Sequence, residues 1–187
     1  MRRVTYSMGC SLDGYISGPD GGFDWGAPSE EEFAFYLDEL READVHLLGR
    51  RLYETMVYWE SDEHAAEWTD PEREWAVRWR EMPKTVFSTT LGSVVGNTRL
   101  LDGGLVEEIE RLRAEPGDGD IAIGGAGLAR AAAEADLIDV YRPRFSPVIV
   151  GGGVPYFPQI ARRFDLELIA TRTFASGMIA SDYRVVR

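Results

Sequence analysis

The chain has 187 residues, a length typical of one domain, and 44% of them are hydrophobic, enough to bury a core without disulfides. Its formal net charge of −12 argues against nucleic acid or an anionic membrane as the main partner. The single cysteine excludes a disulfide framework, and the N-terminus lacks the apolar stretch of a signal peptide. We therefore expect one cytoplasmic domain over residues 1–187.

Strand-like and helix-like segments alternate along the chain. In order, the predicted elements are a strand (4–12), a glycine-rich loop (13–25), a helix opened by a Ser-x-x-Glu capping box (29–43), a strand (45–48), two helices (50–59 and 70–81), two strands (84–88 and 98–101), a helix (105–114), a strand (120–123), a helix (128–135) and a strand-rich remainder with a hairpin turn at Ser176-Gly177. This alternation predicts an α/β fold of three layers. Its central sheet is mixed but mainly parallel and flanked by helices, with an antiparallel C-terminal hairpin.

Three junctions that follow predicted strands contain glycine, arginine or hydroxyl residues. Each has an ordinary explanation by itself: a tight turn, solvated arginines or a polar loop. Together they favour a nucleotide site, because open α/β sheets bind ligands at the carboxyl ends of their strands. The Rossmann fingerprint is not satisfied, since Arg130 stands where a third glycine is needed. The candidate cofactor-binding residues are Gly49, Arg50, Arg51, Ser88, Thr89, Thr90, Gly124, Gly125, Ala126, Gly127 and Leu128.

Two carboxylates are candidates for catalysis, Asp13 just past the first strand and Glu30 at the start of the first helix. Asp13 could equally form an Asx turn, and Glu30 could equally stabilise the helix N-terminus. The candidate substrate-binding residues are Asp13, Tyr15, Asp24, Trp25 and Glu30.

Several other chemistries are set aside. The chain has neither a P-loop nor a Gly-x-Ser-x-Gly nucleophile elbow. Two histidines, His46 and His64, and one cysteine do not form a zinc site, so no metal is expected. The tryptophans at 59, 68, 75 and 79 favour a core or an interface over a platform for stacking bases.

The order and spacing of the motifs resemble the dihydrofolate reductase-like family. Within that family the chain most resembles the branch shared with the C-terminal reductase domain of bifunctional riboflavin-biosynthesis deaminase/reductases. The resemblance covers nearly the whole chain. The segments that carry it are Ser11 to Gly21 with Asp24-Trp25, Leu48-Gly49-Arg50, Met82 to Leu91, Ile123 to Leu128, and Pro147 to Gly153.

This resemblance implies that NADPH binds across the strand ends. Gly49-Arg50 would lie by the cofactor phosphates, Ser88 and Thr89 by the adenosine 2′-phosphate, and 124–128 by the pyrophosphate. The loop over 13–25 would cover the nicotinamide and the substrate. Trp25-Gly26-Ala27-Pro28-Ser29-Glu30 has the Trp-x-x-Pro-x-acid spacing of folate reductases, which favours Glu30 as the acid.

Two departures separate the chain from true folate reductases. A long, Trp-rich, acidic segment covers residues 58–81, and no basic residue is recognisably placed to hold a glutamate tail. The deaminase half of the riboflavin proteins is also missing, so a free-standing reductase is expected.

The predicted function is an NADPH-dependent reductase that transfers hydride to a small pterin- or pyrimidine-like heterocycle. Glu30 or Asp13 would orient and help protonate this substrate. One alternative is a ribosylamino-pyrimidine reductase of riboflavin biosynthesis. Another is a nucleotide-binding module without turnover. A homodimer is expected from the strand-rich C-terminal third and the apolar Val148-Ile149-Val150 stretch.

Overall fold

The computed structural model describes residues 1–187 and contains ten strands and five α-helices. The strands are β1 (Val4–Ser11), β2 (Tyr15–Ser17), β3 (Ala43–Gly49), β4 (Lys84–Phe87), β5 (Thr98–Leu101), β6 (Asp120–Gly124), β7 (Val140–Ser146), β8 (Val154–Pro155), β9 (Asp165–Thr173) and β10 (Ile179–Val186). The helices are α1 (Glu30–Glu42), α2 (Arg50–Met56), α3 (Asp70–Glu81), α4 (Leu105–Ala114) and α5 (Ala126–Glu134). Short 3-10 turns, Asp24–Gly26 and Val57–Glu60, precede α1 and follow α2.

Eight strands form one sheet in the order β5-β4-β3-β6-β1-β7-β10-β9. The six strands from β5 to β7 are parallel, whereas β10 runs antiparallel to both β7 and β9. The predicted α/β fold, with its mainly parallel sheet and antiparallel C-terminal hairpin, is therefore confirmed. None of the helices combines the length and the apolar composition needed to cross a bilayer.

Helix α1 begins at the predicted capping box. The Ser29 hydroxyl accepts the Glu32 N–H at 3.3 Å, and the Glu32 carboxylate accepts the Ser29 N–H at 2.7 Å. The Ser176 hydroxyl, in the turn between β9 and β10, donates to the same carboxylate. Local sequence therefore starts the helix, and a long-range hydrogen bond ties that start to the C-terminal hairpin.

Two predicted boundaries differ from the structure. Helix α5 starts at Ala126 rather than at 128. Gly125 alone separates it from β6 and has φ +97°, a conformation that glycine adopts readily. The loop predicted over 13–25 contains β2, which pairs antiparallel with β8. Gly153 permits this pairing: it has φ +120°, and a Cβ there would overlap the backbone of Ser17 and Gly18.

The two faces of the sheet differ in chemistry. Helices α4 and α5 pack on one face over an apolar cluster that includes Val4, Tyr6, Ile121 and Ile123. On the other face, α1, α2 and α3 share a smaller apolar cluster with β3 and β4, in which Trp79 is 1% exposed. The sequence predicts that the tryptophans belong to a core or an interface, and Trp79 and Trp68 are both buried in the structure.

Beneath α1 the sheet carries short and charged side chains instead of large apolar ones. Arg142 and Arg144 of β7 are buried, and both contact Glu39 of α1 and Asp182 of β10. The Ser7 hydroxyl donates to Glu39 from β1 at 3.4 Å. An ion-pair network therefore holds α1 over this part of the sheet. The short side chains between them leave a space that large apolar side chains would otherwise fill.

Candidate functional site

Sheet pairing brings the predicted cofactor junctions to one edge of the sheet. The register places Leu48 opposite Gly124 and Gly49 opposite Phe87, so the ends of β6, β3 and β4 lie side by side. The approach is close, because a Cβ on Gly125 would lie 3.6 Å from both the Cα and the N of Gly49. The three segments that the sequence identified separately thus form one continuous surface.

The start of α5 offers unpaired backbone N–H groups on this surface. The first N–H groups of a helix have no partner within the helix, and Gly125 has no side chain that could accept them. At Gly127 a Cβ would meet no atom within 4 Å, so the backbone there is open to a ligand. A helix N-terminus of this kind suits an anionic group such as a pyrophosphate.

A polar cleft of about 360 Å³ lies beside it, at the ends of β4 and β5. Arg50 donates to the Thr90 hydroxyl and to the Glu54 carboxylate, both at 2.8 Å. The Ser88 hydroxyl accepts the backbone N–H of Thr90 at 3.2 Å and fixes the turn. The cleft is lined by Arg50, Phe87, Ser88, Thr89, Thr90 and Asp102.

Two features of this cleft were not predicted. Arg51 is exposed and is not among the lining residues, whereas its neighbour Arg50 is. Asp102, which follows β5, brings a negative charge into the same cleft. No motif marks Asp102 in the sequence, because only the pairing of β4 with β5 brings it next to Ser88-Thr89.

Asp13 makes two defined contacts. Its carboxylate accepts the backbone N–H of Val150 at 3.2 Å and that of Gly151 at 2.8 Å, which joins the loop after β1 to the loop after β7. A hydrogen bond from Ser11, followed by these backbone N–H groups, lowers the pKa of Asp13. The carboxylate therefore stays charged and holds two loops together.

The other predicted substrate residues lie along the loop that leads to α1. Tyr15 belongs to β2, and Asp24 and Trp25 form the 3-10 turn. Glu30 is exposed at the first position of α1, and its carboxylate makes no hydrogen bond within the chain. The buried carboxylate of this turn is Glu32, which closes the capping box.

A cavity of about 220 Å³ lies between α1 and the polar face of the sheet. Its walls come from β1, β3, β6, β7 and the first three helices, and none of the predicted catalytic residues lines it. Its polar lining residues are Thr5, Ser7, Tyr36, Glu39, His46, Trp75, Asp120 and Arg142, and its other lining residues include Gly9, Leu52, Met56, Ala122 and Ile123. The sequence signal that could have indicated it is the alternation of Thr5, Ser7 and Gly9 on one face of a buried strand.

His46 projects from β3 into the wall of this cavity. Its Nδ1 is buried without a hydrogen-bond partner, and the Trp79 ring packs edge-on at 5.5 Å. Burial, with a smaller contribution from Lys84, lowers the pKa of His46 to about 4. The imidazole is therefore neutral near pH 7. No group of three or more His, Cys, Asp or Glu side chains is arranged so that it could hold a metal ion.

Comparison with known proteins identifies the family. The model of the RibD C-terminal domain matches residues 2–180. The chain belongs to the RibD C-terminal domain family. YyaP of Bacillus subtilis (strain 168) is 30% identical to it over 182 residues, which are 97% of this chain and 94% of YyaP. The sequence-based assignment to this branch of the dihydrofolate reductase-like proteins is confirmed.

Solved structures show the fold of the RibD C-terminal domain. A protein of Shewanella sp. PV-4 assigned to riboflavin biosynthesis has a TM-score of 0.78 and 23% identity, with all of both chains covered. The Thermotoga maritima diaminohydroxyphosphoribosylaminopyrimidine deaminase/5-amino-6-(5-phosphoribosylamino)uracil reductase has a TM-score of 0.65 and 14% identity. That match covers 99% of this chain and 57% of the Thermotoga chain.

Proposed function

We propose that this RibD C-terminal domain protein is an NADPH-dependent reductase whose substrate is a small heterocycle held in the cavity under α1. The observation that carries the proposal is a shared wall. A Cβ on Gly124 would overlap Leu52 and lie 3.1 Å from His46 Nε2, and both of these residues line the cavity. A nucleotide on 124–128 would therefore lie directly beside a substrate-sized space.

The residues at the strand ends fit the cofactor. The start of α5 would hold the pyrophosphate through backbone N–H groups, because Gly125 and Gly127 leave that backbone uncovered. Arg50 with the hydroxyls of Ser88, Thr89 and Thr90 would hold the 2′-phosphate in the polar cleft. When bound, NADPH supplies a hydride to an electron-poor C=N or C=O carbon, and the attached nitrogen or oxygen takes a proton.

The chain's own contribution is positioning and exclusion of water. The walls of the cavity orient a flat ring against the sheet beside the cofactor surface, which raises the rate by proximity. We assign Asp13 to holding the two loops in place, because its carboxylate is engaged by backbone N–H groups and stays charged. Glu30 does not line the cavity, so a substrate held there should be turned over by Glu30→Gln at nearly the wild-type rate. The sequence-based role of Glu30 as the substrate-orienting acid predicts lower turnover with unchanged NADPH binding, and the same variant separates the two.

The substrate class is supported by the family. The Thermotoga relative is named as the reductase of a substituted uracil, which is a pyrimidine. The cavity has the mixed apolar and polar lining that is typical of a site for a heterocycle. We therefore place the substrate among pyrimidine- and pterin-like rings.

The decisive experiment titrates NADPH and NADH against the wild-type protein and two arginine variants, following tryptophan fluorescence. Arg50→Gln should weaken NADPH binding by about tenfold and NADH binding much less, since a charge-assisted contact to phosphate is worth ~1.5–3 kcal/mol. Arg130→Gln is the matched control, because Arg130 is exposed on α5 and pairs with Glu134. Equal affinity for both nucleotides would contradict the assignment of the cleft. Tight NADPH binding without oxidation by any pterin, pyrimidine or quinone would instead favour a binding module.

A further inference from the structure

The cavity under α1 exists because short side chains line the sheet beneath the helix. Thr5, Ser7, Gly9 and Ala122 have short side chains or none, and they form its floor. Its volume of about 220 Å³ is below the ~300–1,000 Å³ of pockets for drug-sized ligands. The space suits one small ring system and leaves little room for a long substituent.

The charges around the cavity leave no cation for an anionic ligand. Arg142 is the lining arginine, and its nitrogens lie 3.0 to 3.8 Å from four carboxylates, those of Glu39, Glu42, Asp120 and Asp182. Arg144 is likewise shared between two of them, Glu39 and Asp182. Arg3 adds one more guanidinium, 2.9 Å from Asp120.

Three guanidinium groups therefore face four carboxylates, and every guanidinium is already paired. The remaining titratable lining groups add no positive charge, because His46 is neutral near pH 7 and Tyr36 keeps its proton. Among the residues that line the cavity, two carboxylates, Glu39 and Asp120, face one guanidinium, Arg142, so the lining is net negative. A phosphate placed there would be repelled, whereas N–H groups or a protonated amine would be attracted.

Three lining residues also have a buried nitrogen that makes no hydrogen bond: Trp75 Nε1, His46 Nδ1 and Arg142 Nε. Arg142 Nε is still ion-paired, 3.3 Å from the Asp182 carboxylate, whereas the other two nitrogens have no partner. Nearly all buried polar groups in proteins are paired, so an unpaired one next to a cavity points to a ligand or a bound water. Trp75 belongs to α3, in the Trp-rich segment that distinguishes this chain from folate reductases, and it packs against Phe33 at 5.5 Å.

We propose that this cavity selects an amino-substituted, neutral or protonated ring and excludes rings that carry a phosphoribosyl group. The proposal rests on the proposed function and narrows its substrate class. Glu39 accepts the amino N–H groups of the ring, and Trp75 donates to a ring nitrogen or carbonyl oxygen. The substrate thus differs from the phosphoribosylamino-uracil for which the Thermotoga relative is named.

Isothermal titration calorimetry on the full chain tests this with two probes, 5,6-diaminouracil and 5-amino-6-(5-phosphoribosylamino)uracil, with and without NADP⁺. The probe without phosphate should bind at least tenfold more tightly. Trp75→Phe keeps an aromatic ring but removes the N–H, and it should weaken binding of 5,6-diaminouracil at least fivefold. Trp68→Phe is the matched control, because Trp68 does not line the cavity and its Nε1 donates to the Tyr58 hydroxyl.

A second variant tests the contribution of the negative charge of Glu39 to this selectivity. Glu39→Gln should reduce the preference for the unphosphorylated probe, while Glu31→Gln, on the exposed side of the same helix, should not. Equal or tighter binding of the phosphorylated probe would overturn the proposal, and so would binding of neither probe. It would also be overturned if Trp75→Phe and Trp68→Phe bound 5,6-diaminouracil equally tightly. NADPH binding in the same samples is a separate readout, and its absence would contradict the proposed function rather than the selectivity of the cavity.

Discussion

His46 is a titratable side chain on β3, between β4 and β6 of the parallel sheet, and the ring of Trp79 packs against it. This buried environment favours the neutral imidazole. Its pKa is about 4 in the folded protein, against about 6.5 when exposed. Between these two values the unfolded chain binds a proton that the folded chain does not. His46 therefore does not lower the free energy of unfolding above pH 6.5, and it lowers it progressively as the pH drops from 6.5 towards 4.

Lowering the pH should consequently destabilise the protein through protonation of His46 in the unfolded chain. From pH 7 to pH 5 the free energy of unfolding should decrease by about 1–2 kcal/mol through this group, as measured by urea denaturation. His46→Gln cannot protonate and should flatten that dependence. His64→Gln serves as the control, since His64 is exposed and stacks on Tyr58. A wild-type slope that survives in His46→Gln would show that another group causes it.

Asp102 is the residue that opposes the predicted phosphate site. It is exposed and shares the polar cleft with Arg50 and the hydroxyls after β4. Replacing it by Asn removes a negative charge without changing its size, so Asp102→Asn should tighten NADPH binding about two- to fivefold, an effect that salt weakens. NADH binding should change less.

Glu107→Gln is the control, because Glu107 lies on α4 and outside the cleft. If Asp102→Asn instead loses affinity for NADPH, the Asp102 carboxylate contacts the ribose and does not repel the phosphate.

At the scale of elements, the first turn of α1 separates a structural carboxylate from a predicted catalytic one. Glu32 accepts hydrogen bonds from Ser29 and Ser176, whereas Glu30 makes none. Glu32→Ala should therefore lower the free energy of unfolding by about 2 kcal/mol, the combined effect of a lost helix cap and a lost long-range hydrogen bond. Glu30→Ala should stay within about 0.5 kcal/mol. Thermal denaturation of both variants measures this difference. An equal loss of stability in the two variants would contradict a structural role for Glu32 that Glu30 does not share.

The elements that the sequence predicts well are those that local patterns control. The capping box at Ser29 starts α1 where expected, and glycine-rich junctions after β3 and β6 mark the strand ends correctly. The cavity could not be predicted, because its walls join residues as distant as Ser7, Trp75 and Arg142. Asp102 was missed for the same reason, since only strand pairing brings it to the cleft. Strand β2 was also missed, because three residues paired with a distant segment leave no periodic signal.

At the scale of the whole molecule, the most unusual surface is the outer edge of the sheet at β9. All nine residues of β9 are exposed, among them Leu166, Leu168 and Ile169. The strand pairs only with β10, so its other side presents unpaired backbone groups. Long edge strands with exposed apolar side chains are rarely left uncovered in soluble proteins.

We propose that a second copy of the chain covers this edge, which would place the interface of the expected homodimer in the strand-rich C-terminal third. The apolar segment over residues 148–150, the other basis for expecting a dimer, forms a loop in which only Ile149 is strongly exposed, at 73%. Val150 is half-buried, and Asp13 accepts its backbone N–H. The broader apolar surface is therefore on β9, and a two-fold axis there would place the same strand against itself.

Leu168→Glu tests this arrangement. Leu168 is 52% exposed as the chain stands, so a charge there costs the isolated protomer little, yet two such charges would face each other across a two-fold interface. We expect the wild-type protein to sediment as a dimer at micromolar concentration and Leu168→Glu to sediment as a monomer with an unchanged far-UV circular dichroism spectrum. Val77→Glu, at a residue 54% exposed on α3, controls for adding a charge to an exposed apolar position and should stay dimeric. A monomeric wild type would refute the dimer, and a dimeric Leu168→Glu would place the interface on another surface, because like charges buried together at a symmetric contact cost several kcal/mol.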